Sequence, residues 1–75
     1  MDDARIASVL NDLAAARGPE STFCPSEAAR RLADDWRPLM PAVRRVARDI
    51  GLVATQGGTP VDPVTARGPI RLRVR

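Results

Sequence analysis

Within residues 36 to 51, WRPLMPAVRRVARDIG, arginines stand at positions 44, 45 and 48. A guanidinium is a permanently charged, planar fork of donors that pairs bidentately with a phosphate, or with O6 and N7 of guanine in a major groove. The chemistry on offer is recognition of a polyanion, provided a helix gathers these side chains on an exposed face. At about 100° per residue, Leu39, Val43, Val46, Ala47 and Ile50 fall on one side of such a helix, and Arg44, Arg45 and Arg48 cluster on the other. Two blander readings stay open. The arginines can solvate the helix and pair with acidic residues elsewhere, or they can meet another protein.

Further cations extend the pattern. Arg37 lies where this helix begins, Arg67 in a glycine- and proline-rich stretch, and Arg71, Arg73 and Arg75 alternate with Ile70, Leu72 and Val74. Such a ladder on an edge strand can also act simply to discourage strand addition. Every one of the twelve cations is an arginine, and they are segregated. Residues 1 to 36 hold four arginines against seven carboxylates, a balance of −3; residues 37 to 75 hold eight against two, a balance of +6. This polarity suggests one face made for a polyanion.

Other reactive residue types offer little. With no histidine and a single cysteine, Cys24, the chain lacks the usual zinc ligand sets and can form no internal disulfide. Ser26 has neither histidine nor lysine to activate it and reads as a capping residue. Cys24 reads as a buried, inert thiol. Asp34 and Asp35 are adjacent, so a helix would not turn them toward each other, and Asp35 is expected to cap the helix that follows. Gln56-Gly57-Gly58 and Arg67-Gly68-Pro69 resemble turn chemistry rather than a phosphate cradle, which would need a following helix. No cofactor, metal site or enzymatic activity is expected. Trp36 could stack on a base, but core packing is the stronger expectation for one of only two aromatics.

The elements that must position the arginines follow from periodicity. Ile6, Val9, Leu10 and Leu13 predict a helix from about Asp3 to Arg17, stopped by Gly18-Pro19. Thr22-Phe23 is a short extended piece. A second helix starts at Pro25, carries Glu27 in its first turn, and runs to about Asp34, burying Ala28, Ala29, Leu32 and Ala33 with Arg30 and Arg31 outside. Asp35 to Pro38 makes a turn. The third helix begins at Pro38 or Pro41 and continues to Ile50, where Gly51 suits a left-handed stop. Leu52 to Thr55 and Ile70 to Arg75 read as two antiparallel strands, with Gln56 to Pro69 as a long irregular tip.

Three helices, the second and third joined by a short turn, then a two-stranded wing, is the order of a winged helix-turn-helix. At 75 residues the chain is expected to be one domain, mainly α, with a modest core. The stretches CPSEAARRL, WRPLMPAVRRVARDIG and GPIRLR resemble a bacterial family of small winged-helix proteins catalogued only as a domain of unknown function. The resemblance covers nearly the whole chain and implies the fold, while transferring no binding or catalytic residue. An acidic Met-Asp-Asp start and the lack of a long apolar run suggest a cytoplasmic protein with no membrane contact.

The expected function is DNA binding through Arg44, Arg45 and Arg48, with Arg37 touching backbone and Arg67 or Arg71 assisting from the wing. The alternative is a protein-interaction module, possible as a homodimer, using Leu39, Met40 or the strand edge at 70 to 75. An exposed apolar patch around Met40 would favour the second reading. A basic face crossed by no carboxylate would favour the first.

Overall fold

The first helix, α1 (Asp3–Arg17), starts where the Asp2 side chain accepts hydrogen bonds from the backbone N–H groups of Ala4 and Arg5, at 2.7 and 3.4 Å. These are donors that the helix's own ladder leaves without partners. The computed structural model to which it belongs describes residues 2–75. Ile6, Leu10, Leu13 and Ala14 are buried and Val9 is half-buried, the stripe that a helical period requires. The helix ends at Gly18, whose φ of +79° is open to glycine at no steric cost.

Phe23 is fully buried and forms an antiparallel bridge with Leu72, exchanging two backbone hydrogen bonds of 2.8 Å. The helix-turn-helix follows. α2 (Pro25–Leu32) buries Pro25, Ala28, Ala29 and Leu32, and a 3₁₀ turn over Arg37–Leu39 runs directly into α3 (Met40–Asp49). Val43, Val46 and Ala47 of α3 are buried, with Leu39 and Ile50 packed at the core's margin. Gly51, at φ +81°, turns the chain out of α3.

The sheet corrects the expected two-stranded wing. It has three strands, β1 (Val53–Gln56), β2 (Thr59–Val61) and β3 (Arg71–Arg73), in the order β2-β1-β3 and antiparallel throughout. Residues 56 to 61 are therefore not part of an irregular tip. Gly57 and Gly58, at φ +57° and +83°, make a two-residue turn that sets Gln56 opposite Thr59. Positive φ at both positions matches the turn to the twist of the strands it joins. Pro60 is tolerated in β2 because that strand is an edge, where a missing N–H breaks no ladder.

Smaller corrections concern ends and caps. α2 stops at Leu32, two residues short of Asp34, with Ala33 in an extended conformation. Asp35 does not cap α3: Trp36 precedes the 3₁₀ turn and no side chain caps it. Ser26 does not cap α2 either; its hydroxyl donates to the Cys24 sulfur at 3.0 Å, and Cys24 is half-buried rather than buried. One core joins α1, α2, α3, Phe23, Ala54, Ile70 and Leu72. This is the winged helix-turn-helix arrangement of three helices and a small antiparallel sheet, with one more strand than expected. Among the described residues no helix is long and apolar enough to cross a membrane.

Candidate nucleic-acid interface

α3 places its arginines on two different sides. Continuing the 3₁₀ turn into α3, positions 37, 41, 44 and 48 recur at helical spacing, so Arg37, Pro41, Arg44 and Arg48 form one outward stripe. Arg45 lies off this stripe. Its guanidinium forms a fork with Asp3 at the start of α1, both N···O distances being 2.9 Å, and approaches Asp49 at 3.6 Å. The hydrogen bonds from Arg45 are the main cause of an Asp3 carboxyl held below the usual carboxylate range, and they raise the Arg45 pKa in return. Of the three arginines grouped by sequence, Arg45 thus takes up the pairing with the acidic N-terminal half that the blander reading anticipates.

Arg44 is half-buried and turned onto the wing. Its two terminal nitrogens donate to the carbonyl oxygens of Ala66 and Gly68, at 2.8 and 2.7 Å. From the other side the Gln56 amide donates to the carbonyls of Arg67 and Pro69. Four consecutive carbonyls, 66 to 69, are therefore gripped alternately by one side chain of α3 and one of β1. Gly68 has φ +84°, a conformation that places its carbonyl toward Arg44 and strains any residue with a Cβ. Asp62 finishes the loop, its carboxylate accepting from the Val64 N–H at 2.8 Å and its carbonyl from the Ala66 N–H at 2.9 Å.

This clamp holds the backbone around Arg67 next to the Arg44 side chain of α3. Arg67 is exposed, and among the described residues its side chain has no hydrogen-bond or ion-pair partner. Arg48 has a single carboxylate neighbour, Asp49, whose Oδ1 accepts from its Nε and from one terminal nitrogen at 3.4 and 3.3 Å. Arg71 is turned away toward Thr22, donating to its hydroxyl and its carbonyl at 3.0 Å each. β3 is not an open edge at this point, because Phe23 pairs with Leu72 along its outer side.

Arg37 sits at the entrance to α3 with its guanidinium 4.6 Å from the centre of the Trp36 ring. A second guanidinium, that of Arg30 on α2, lies 4.8 Å from the same centre. Trp36 is half-buried, its indole packed against the core while it receives both cations. Arg30 and Gln56 are the contributors that sequence reasoning did not place in the site. Spacing alone carries no signal for Gln56, whereas Arg30 stands six residues before the only tryptophan, across the turn of a helix-turn-helix.

Neither simple discriminator applies cleanly to this surface. Leu39 and Met40 are half-buried against the core, and among the described residues Val64, at 42%, is the one large apolar side chain that is exposed. The basic face is crossed at one side by Asp3 and Asp49. What remains open is the stripe from Arg37 to Arg48, with Arg67 beside it.

Residues 3–75 match the family described as Protein of unknown function (DUF3253), and the chain belongs to that family. A search of curated proteins finds no match to it.

Proposed function

We propose that this family member is a DNA-binding winged helix, with a binding rather than a catalytic role and a cytoplasmic setting. The observation that carries the reading is the stripe of Arg37, Arg44 and Arg48 on the outer side of α3, beside which the Arg44–Gln56 clamp holds the exposed Arg67. A recognition helix presents its first turns to the major groove, and a wing reaches the flanking backbone. In this arrangement Arg37, Arg48 and Arg67 contact DNA directly, and Arg44 builds the seat of the wing. Arg45 and Arg71 begin from intramolecular partners that phosphates would have to displace, and Arg48 from the single carboxylate of Asp49 beside it. The free thiol of Cys24 accords with a reducing compartment. Sequence-specific recognition would call for a second copy or a partner, since one small domain fills one groove contact.

The test is a fluorescence-anisotropy titration of random-sequence duplex DNA across a salt series. If Arg37, Arg48 and Arg67 each neutralise one phosphate, log affinity falls with log salt at a slope of roughly −2.7. Replacing Arg37, Arg48 and Arg67 together by alanine is expected to abolish micromolar binding. Absence of binding by the wild-type chain even at low salt overturns the reading and returns these arginines to a solvating role. The protein-interaction alternative then takes its place, although no exposed apolar patch around Met40 favours it.

A further inference from the structure

The corner between α2 and α3 holds a group of side chains that helix order alone does not call for. Arg30 and Arg37 come from opposite sides of the turn, and both set their guanidinium carbons over the Trp36 indole, at 4.8 and 4.6 Å from its centre. Two like charges gathered on one ring repel, and the ring's negative face only partly offsets this. A guanidinium held over a ring is not hydrogen-bonded by it through all five of its N–H groups, and the remaining donors stay available to an anion. Among the described residues neither arginine has a hydrogen bond or an ion pair, although Asp34 and Asp35 lie between them in the chain and are exposed.

We propose that Arg30, Trp36 and Arg37 form a phosphate seat, in which the indole holds two guanidinium groups ready to grip the backbone of a nucleic-acid strand. The proposal rests on the DNA-binding reading above and extends it across the turn to α2. The two ring distances added together are the most that can separate the guanidinium carbons, a span that a strand covers within a few consecutive phosphates at ~3.4 Å of axis per charge. Planar forks held in place lose little freedom on binding, so the pair contributes donors already in position. Asp34 and Asp35 offset the local charge. The seat therefore acts at short range, through geometry, while the stripe on α3 supplies the longer-range attraction. Trp36 is the indole platform of the seat and not a stacking surface for a base.

Trp36 also supplies the readout. It is the only tryptophan and the chain has no tyrosine, so intrinsic emission reports this corner alone. Random-sequence duplex DNA is titrated at low and rising salt while labelled-DNA anisotropy and Trp36 emission are followed together, for wild type, Arg30→Ala/Arg37→Ala and Arg30→Lys/Arg37→Lys. The seat predicts that Trp36 emission changes in step with anisotropy. The alanine pair should bind roughly ten-fold or more weakly, with a salt slope shallower by about 2, one for each phosphate that is no longer neutralised. The lysine pair should regain the slope but not the full affinity, because an ammonium offers no planar fork.

DNA binding with unchanged Trp36 emission, and a loss in the alanine pair no greater than Arg37→Ala alone produces, overturns the seat and leaves the α3 reading standing. No DNA binding by wild type overturns both. Circular dichroism of each variant before titration establishes that it is folded. Should the alanine pair unfold, Asp34→Asn/Asp35→Asn decides instead: the seat predicts tighter binding and a larger Trp36 response, and no change in either overturns it.

Discussion

Arg45 on α3 and Asp3 at the start of α1, 42 positions apart in the chain, meet in a fork of two hydrogen bonds of 2.9 Å. Those bonds are the main reason that the Asp3 carboxyl sits below its ordinary range; desolvation opposes them and the guanidinium's charge adds to them. A carboxyl whose folded pKa is lowered stabilises the fold above its unfolded pKa, and ceases to do so as pH falls through the folded value. Thermal melts from neutrality into acid are therefore expected to separate wild type from Asp3→Asn near neutral pH and to converge in acid. The separation is small, because both groups are exposed and water screens them. A difference that persists undiminished in strong acid would show that Asp3 acts by something other than its charge.

Arg44 and Gln56 hold the carbonyls of residues 66 to 69 between them, so either substitution should loosen the return of the wing while leaving the helices in place. Arg44→Ala removes two charge-assisted hydrogen bonds, and a loss of about 1.5 to 3 kcal/mol is expected in urea unfolding. Gln56→Ala, which removes neutral donors, should cost roughly 1 kcal/mol. Amide exchange distinguishes this local effect from a global one: Ala66, bonded to the Asp62 carbonyl, should exchange faster while Ile6 and Leu10 of α1 keep their protection. Uniform acceleration over all of these would refute the clamp.

The helices were legible in the sequence because their signals are local. Ile6, Leu10 and Leu13 recur at helical spacing and Gly18 breaks the pattern, so α1 was readable to its ends; Gly51 marked the exit from α3 equally well. β2 was missed for a physical reason. Pro60 lies within it and Pro63 follows two residues after its end, and proline argues against a strand unless the strand is known to be an edge, which is a fact of tertiary structure. The pair Gly57-Gly58 between VATQ and TPV was the available hairpin signal, outweighed by the prolines. For the site, helical spacing separated apolar from cationic residues but said nothing of partners. That Arg44 would turn to the wing, Arg45 to Asp3 and Arg30 to Trp36 depends on how distant segments meet.

The Gly57-Gly58 turn permits a sharp check on β2. At φ +83°, Gly58 occupies backbone space that costs a residue with a Cβ about 1 to 2 kcal/mol, and no neighbouring atom crowds the position. Gly58→Ala should therefore destabilise by that amount through the backbone alone. Gly57→Asn should be far milder, because asparagine accepts the left-handed conformation. Equal losses from the two would mean that the turn is not of the kind described.

The Asp3–Arg45 fork also bears on binding. While it stands, the guanidinium of Arg45 is turned toward the start of α1, and a DNA phosphate must compete with a carboxylate for it. Asp3→Asn replaces that carboxylate with a neutral amide, which weakens the hold on Arg45 and removes a negative charge from the edge of the basic face. If α3 docks on DNA as proposed, the variant should bind random-sequence duplex several-fold more tightly, with a salt slope steeper by about 0.9 when Arg45 takes up a phosphate. Adding Arg45→Ala to Asp3→Asn should cancel the steeper slope, because the extra phosphate is held by that one side chain. If the slope steepens just as much without Arg45, the tighter binding comes from the removed charge of Asp3 alone, and Arg45 takes no part in the interface.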